Sequence, residues 1–260
     1  MRAALGRGWP ALDGVVLRRS PIENPPDSPL EIGFNRPLHV REERLSERGD
    51  SCRLLYVSDI HLRRGRSEML CGQVADAVRR SDPDAVLLGG DLVDRRSELP
   101  ALSDLVSTIR RFAPVLAVGG NHDRRVGMAR VRDAVVRGGG HWIHDGTARL
   151  AHGPRVIAVS GPENAPRVAA DVRVLCAHNP RIWRRSRRAG FDLVLAGHLH
   201  GCQLVAGEYR DRLWPGAFLY PATCVLSHRR GSARLVVSRG VSDLLPIRWR
   251  CPREVVLCHV

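Results

Sequence analysis

Arg53-Leu54-Leu55-Tyr56-Val57-Ser58-Asp59-Ile60-His61 is the stretch that decides the fold. Leu54 to Val57 form a short apolar run, of strand length and without helical spacing. The run ends in Asp-x-His. The same form returns twice. Ala85-Val86-Leu87-Leu88 leads into Gly89-Gly90-Asp91-Leu92-Val93-Asp94, and Val115-Leu116-Ala117-Val118 leads into Gly119-Gly120-Asn121-His122-Asp123. Between the first two runs, Leu70, Val74 and Val78 repeat at helical spacing from Ser67 to Ser81. Between the next two, Leu102, Leu105, Val106 and Ile109 mark a second amphipathic helix. A third is expected from about Val126 to Arg137, stopped by Gly138 to Gly140. Short strands alternating with helices predict a parallel sheet built of βαβ units.

After residue 150 the strands are expected faster, at Arg155 to Ser160, Val172 to Ala177, Asp192 to Ala196, Ala217 to Tyr220, Ala233 to Ser238 and Glu254 to Val260. Arg181 to Ala189 is the main helical candidate there. The whole therefore reads as an α/β chain with two sheets and helices on the outer faces. Residues 1–50 differ: they carry Pro21, Pro25, Pro26, Pro29 and Pro37, then a charged run from Arg41 to Asp50. They are read as an irregular, proline-rich arm with at most one short strand near Ile32 to Val40. Residues 51–260 form the domain. There is no internal repeat and no low-complexity tract.

The composition is that of an ordinary globular protein, 43% hydrophobic and 26% charged. The formal charge of +14 alone would suggest nucleic acid or an anionic membrane. However, the chain has no lysine, so all 41 basic residues are arginine, and they are scattered along its length. That skew is read first as compositional background. Seven cysteines, with no Cys-x-x-Cys pair, argue against a disulfide framework or a zinc knuckle and for a reducing compartment. The first twenty residues lack the apolar segment of a secretory signal. No apolar run is long enough to span a bilayer.

Each strand end delivers a potential ligand. To Asp59, His61, Asp91 and Asn121 the second half adds His178, from Leu175-Cys176-Ala177-His178, and His198 and His200, from Gly197-His198-Leu199-His200-Gly201. In extended chain, Asp59 and His61 would project to one side, as would His198 and His200. Ligand sites of open α/β sheets lie beyond the carboxyl ends of parallel strands. Seven oxygen and nitrogen donors are too many for one ion but suit two ions sharing a carboxylate. Manganese, iron or zinc fits such a set; magnesium prefers fewer imidazoles. Taken singly, Asp-x-His is usually a surface turn, and Gly-Asn-His-Asp is most often a turn closed by its own side chains. The joint occurrence, each motif at a strand end, carries the metal reading.

The ordered blocks Asp59-Ile60-His61, Gly89 to Asp94, Gly120 to Asp123, Ala177-His178-Asn179 and Gly197 to Gly201 resemble the calcineurin-like metallophosphoesterases over about residues 53–260. The resemblance implies a four-layer α/β/β/α sandwich. It also implies hydrolysis of a phosphoester or diphosphate by metal-activated hydroxide at a dinuclear centre. Asp59, His61 and His200 would hold one divalent ion, and Asn121, His178 and His198 the other, with Asp91 bridging. His122 would assist the leaving group, and Asp123 would orient His122. The tail, Val237 to Ser242, Pro246 to Arg248 and Cys251 to Glu254, is similar to a bacterial subgroup. That subgroup includes a cell-wall-associated phosphoesterase and a UDP-2,3-diacylglucosamine diphosphatase. It implies a phosphorylated small-molecule or lipid-linked substrate. The cysteine usage and the lack of a signal segment, which many members of that subgroup carry, give a cytoplasmic enzyme, with peripheral contact to an anionic inner membrane as an option. Leu199 and Cys202 depart from the subgroup's usual Gly-His-Thr-His-Gly-Gly-Gln. Cys202 would narrow the backbone near the substrate.

Nucleic acid, as the substrate of a nuclease, is the alternative, and a non-catalytic scaffold of the same fold is the third reading. Asp94 is read as a turn or cap residue. His141, His144, His152, His228 and His259 are read as surface or packing histidines. Glu163 and Asn164 could border the site and Arg124 and Arg125 could meet a substrate phosphate, but such adjacency is common on an arginine-rich chain and none of the four is counted among the site residues. Trp183 with Arg184, Arg185, Arg187 and Arg188 is read as a solvated face, membrane contact being the alternative. The sequence leaves the oligomeric state open.

Overall fold

Leu54 and Tyr56 turn to one side of their strand, Leu55 and Val57 to the other, and all four are buried. A strand covered on both faces needs no polar alternation, which is why it reads as one apolar run. The computed structural model describes residues 29–45, 51–163, 168–243 and 245–260. Its strands are β1 (Leu30–Ile32), β2 (His39–Arg44), β3 (Arg53–Val57), β4 (Ala85–Gly89), β5 (Val115–Val118), β6 (His141–Trp142), β7 (Thr147–His152), β8 (Arg155–Ser160), β9 (Val172–Cys176), β10 (Leu193–Ala196), β11 (Gly207–Tyr209), β12 (Arg212–Trp214), β13 (Ser227–Arg230), β14 (Ala233–Val237), β15 (Ile247–Trp249) and β16 (Glu254–His259). Its helices are α1 (Ser67–Ser81), α2 (Leu99–Ile109), α3 (Asn121–Val126), α4 (Met128–Arg137) and α5 (Trp183–Arg188).

Two six-stranded sheets face each other, one ordered β2-β16-β3-β4-β5-β6 and the other β13-β14-β10-β9-β8-β7. Within them β3 to β6 run parallel, as do β8, β9, β10 and β14. Leu54, Tyr56 and Leu87 of the first sheet meet Val159, Val174 and Leu195 of the second in a core between them. The outer face of the first sheet packs under α1, α2 and α4 through Val74, Leu105 and Val131. That of the second packs against Trp183 of α5 and Phe191. The layers are therefore α/β/β/α. The Tyr56 hydroxyl crosses the sandwich and donates to the Ala177 carbonyl at 2.6 Å, tying β3 to the segment that carries His178.

Three local expectations differ from the structure. The helix expected from about Val126 to Arg137 starts at Met128, as α4, because Gly127, at φ 116°, separates it from α3, a helix over Asn121–Val126 that was not expected. Ala217 to Tyr220, read as a strand, is a single turn of 3-10 helix over Gly216–Phe218. Phe218 and Leu219 are each 77% exposed, so their apolar character reflects no strand burial. Of residues 1–50, 29–45 are described, and they hold two strands where one was expected. β1 pairs antiparallel with β15, and β2 pairs parallel with β16. The charged run hides β2 because its stabilising partners lie far along the chain: Arg41 is buried against Glu254, 213 residues away. The rest of that arm, 1–28 and 46–50, lies outside the described residues. No helix among the described residues is long and apolar enough to cross a membrane.

Candidate metal centre

The loops after β3 and β4 leave the sheet side by side. The Asp59 and His61 amides donate to the Gly90 and Asp91 carbonyls at 3.0 and 2.9 Å. Here the backbone is not extended. Asp59, His61 and Asp91 have φ of 57°, 48° and 51°, and His198 and His200 have 75° and 50°. The expected same-side pairing along extended chain is thus corrected: the pairs converge through left-handed turns. Such conformations are unfavourable for side-chain-bearing residues and persist only where surrounding contacts hold them. The loop-to-loop bonds do so, as does the His198 amide, which donates to the Asp59 carboxylate at 3.2 Å.

All seven residues singled out in the sequence come together. Ligand atoms of Asp59, His61 and His200 lie within 4.8 Å of one another, and so do those of Asp91, His178 and His198. Asp91 stands between the groups, its Oδ2 3.9 Å from His61 Nε2 and 3.2 Å from His178 Nε2. Asn121 Oδ1 joins the second group, 3.0 Å from His178 Nε2.

The donor set fits divalent ions. His61 Nδ1 donates to Asp94 at 2.7 Å, and its buried Nε2 has no hydrogen-bond partner. His178 Nδ1 faces the Gly89 carbonyl at 3.2 Å, which turns its Nε2 towards Asn121 Oδ1, Asp91 Oδ2 and His198 Nδ1. His200 Nδ1 is held by the Ser242 carbonyl at 2.8 Å and by Asp243 at 2.9 Å. In each case the outward nitrogen is fixed and the inward one is offered, the usual arrangement around metal-binding histidines. The cluster also demands positive charge. Burial alone would raise the Asp59 and Asp91 carboxyls, but the neighbouring histidines hold both below the ordinary carboxylate range. His178 is pushed up to about 9: burial works against this, but its hydrogen bond to Asp91 and the charges of Asp59, Asp91 and Asp123 outweigh it.

His122 stands beside the centre. Its amide donates to Asp91 Oδ1 at 2.8 Å, and its ring meets His61 edge-on at 4.6 Å between centroids. Here two readings are corrected. Asp94, taken as a turn residue, accepts from both His61 Nδ1 and His122 Nδ1 through one oxygen, at 2.7 and 2.9 Å, while Arg63 binds its other oxygen. Asp123 does not orient His122. It is fully buried and accepts the amides of Leu92, Val93 and Gly120, which pins the β4 and β5 loops to each other. Burial pushes its carboxyl up to about 6.

Asp243 and Arg248 were not anticipated. Arg248, buried, grips Asp243 through two nitrogens at 2.6 and 2.8 Å, and Asp243 in turn holds His200. No local signal marks this pair. For Asp94, the Asp-x-x-Asp spacing in a tight turn was a usable hint. His144 Nδ1 accepts the Gly119 amide at 3.2 Å and its Nε2 lies 3.5 Å from Glu163, so the ring supports the turn before Asn121. Asn164 lies outside the described residues. Leu199 packs against an apolar cluster containing Val205, Leu213 and Leu226, and Cys202 turns to Cys224, 2.7 Å between sulfurs. All seven cysteines are free.

The calcineurin-like phosphoesterase family matches residues 52–202, more than half of the chain. This chain belongs to that family. Among the relatives of this calcineurin-like phosphoesterase is Phosphodiesterase YaeI of Escherichia coli, 28% identical over 226 residues that cover 80% of this chain and 82% of the relative. An uncharacterized metallophosphoesterase of Aquifex aeolicus is 28% identical over 253 residues, covering 90% and 94%. Among solved structures, a dimetal phosphatase from Danio rerio is similar over 81% of this chain and 99% of its own, at 11% identity and a TM-score of 0.45. This calcineurin-like phosphoesterase is a hydrolase of a family that works with divalent metal. Ser242, Asp243 and Arg248, which hold and brace His200, lie beyond the matched residues.

Proposed function

We propose that residues 51–260 form a dinuclear phosphoesterase that hydrolyses a phosphodiester or diphosphate bond in a small-molecule or lipid-linked substrate. The observation that carries this reading is Asp91. Its Oδ2 sits between two groups of ligands, and its Oδ1 accepts the amide of His122. Asp59, His61 and His200 would hold one ion, and Asn121, His178 and His198 the other, with Asp91 shared. Manganese, iron or zinc suits these donors. When bound, a pair of such ions supplies an activated water and neutralises the phosphate oxygens.

The remaining work falls to side chains. Asp94 accepts from His122 Nδ1, which leaves Nε2 as the nitrogen that meets the leaving oxygen; with a proton on each ring nitrogen, His122 gives the Nε2 proton to that oxygen and keeps the one bonded to Asp94. The same carboxylate fixes His61, so the histidine that serves the leaving oxygen and a histidine that would hold a metal are aligned by one residue. Arg248 and Asp243 fix His200 from the far side.

The test is a panel of p-nitrophenyl phosphate, bis-p-nitrophenyl phosphate and a nucleoside diphosphate sugar, each assayed with manganese and with chelator. Metal-dependent turnover, highest on the diester or the diphosphate, is expected. Absence of turnover on all three, with two metals bound, removes the proposal.

A further inference from the structure

A cavity of about 530 Å³ opens between α5, the turn from β11 to β12, and β13. Six arginines line it: Arg181, Arg184 and Arg187 from α5 and the turn before it, Arg210 and Arg212 from the hairpin, and Arg230 from β13. The first three follow at steps of three residues and so share one helical face. None of the seven ligand residues, nor His122, lines this space.

Compositional background does not account for it. Arginine supplies 41 of 260 residues but six of the fifteen that line the cavity, and none of the 27 acidic residues is among them. Elsewhere the chain pairs its structural arginines with carboxylates, as in Arg239 with Glu254, Arg248 with Asp243 and Arg253 with Glu31. The six cavity arginines have no ion-pair partner among the described residues. Asp211, at the hairpin tip, turns to His228 at 3.8 Å and stays exposed. Guanidinium groups crowded on one space repel each other until an anion enters. Their planar forks match phosphate oxygens in pairs, and one phosphate is too small to reach three walls of such a volume.

We propose that this cavity binds two or more phosphate groups of a small molecule or of lipid headgroups, and not a nucleic-acid backbone, at a site separate from the candidate metal centre. The proposal stands whether or not that centre hydrolyses the substrates suggested above. The phosphates could belong to a soluble polyphosphorylated molecule or to anionic lipid headgroups. Leu219 at the rim is exposed beside Phe218, as an insertion into a bilayer would require.

The test uses the full chain in chelator, so that metal–phosphate binding does not contribute. Tripolyphosphate binding is measured by calorimetry, and co-sedimentation is measured with phosphatidylglycerol vesicles, phosphatidylcholine vesicles and a single-stranded oligonucleotide. Arg184→Gln with Arg212→Gln removes two walls' charge. Arg185→Gln with Arg188→Gln removes the same charge from α5 outside the cavity. Binding should weaken roughly tenfold or more in the first pair, the scale of one lost charged hydrogen bond, and change little in the second. If thermal melts show the first pair misfolded, Arg187→Gln with Arg230→Gln replaces it. Tripolyphosphate binding assigns a soluble source; binding to phosphatidylglycerol vesicles alone assigns a headgroup. Equal weakening in the cavity and control pairs overturns the proposal. So does binding of neither phosphate probe, or of the oligonucleotide alone.

Discussion

At the scale of single residues, Asp94 couples two imidazoles through one oxygen. The two histidines it serves should separate cleanly in experiment. His122→Ala is expected to keep both metals by elemental analysis. It should lose about 10² to 10⁴ in kcat on substrates with poor leaving groups, and far less on p-nitrophenyl esters. Metal loss in step with activity would show His122 to be a ligand. Asp94→Asn should do more, because His61 loses its anchor as well. Metal affinity is expected to fall about 10- to 100-fold, the range seen when a histidine's supporting carboxylate is removed, together with a drop in kcat at saturating metal. An Asp94→Asn enzyme with unchanged metal titration would place that carboxylate outside the centre's support.

At the scale of elements, β2 and β16 are joined by charge as well as by backbone pairing. Glu254 is fully buried, bound by Arg41 and by Arg239 from the segment after β14. Burial alone would raise its carboxyl, but Arg239 and Arg41 outweigh it and hold the group at about 2, against an ordinary 4.5. A carboxyl that is more acidic folded than unfolded contributes stability above its unfolded value. That contribution is lost as pH falls from about 4.5 towards 2. Thermal melts should drop through this window in the native protein and be flatter in Glu254→Gln. At neutral pH the same substitution should destabilise by about 3–5 kcal/mol, since it leaves buried guanidinium charge uncompensated. A neutral-pH melt unchanged by Glu254→Gln would remove the cluster from the stability of this sheet edge.

At the scale of the molecule, the candidate metal centre spans both sheets. Asp59, His61, Asp91 and Asn121 follow strands of the first, and His178, His198 and His200 follow strands of the second. Any ion held there bridges the halves of the sandwich, and a ligand bound only by the folded state stabilises it by mass action. Chelator should therefore lower Tm by about 5–10 °C when metal is otherwise present at about a hundredfold over its Kd. Asp91→Ala should melt at one temperature with or without chelator. A chelator shift that persists in Asp91→Ala would locate the stabilising ion elsewhere. Much of this layout is legible in the sequence, because strand length, helical spacing and the residue type at each strand end are local properties. The α1 boundaries, the parallel strands and the seven residues that cluster beyond the strand ends were all readable that way. The left-handed turns at Asp59, His61 and Asp91 were not, because only neighbouring loops hold them there. Nor was the exchange of roles between Asp94 and Asp123, since His122 selects its partner from 28 residues back. The Asp243–Arg248 brace on His200 and the arginine cavity likewise depend on segments that meet only in the folded chain. The sequence by itself determined which chemistry the strand ends could carry. The tertiary structure decided which side chain holds which, because a hydrogen bond depends on separation in space and not on separation along the chain.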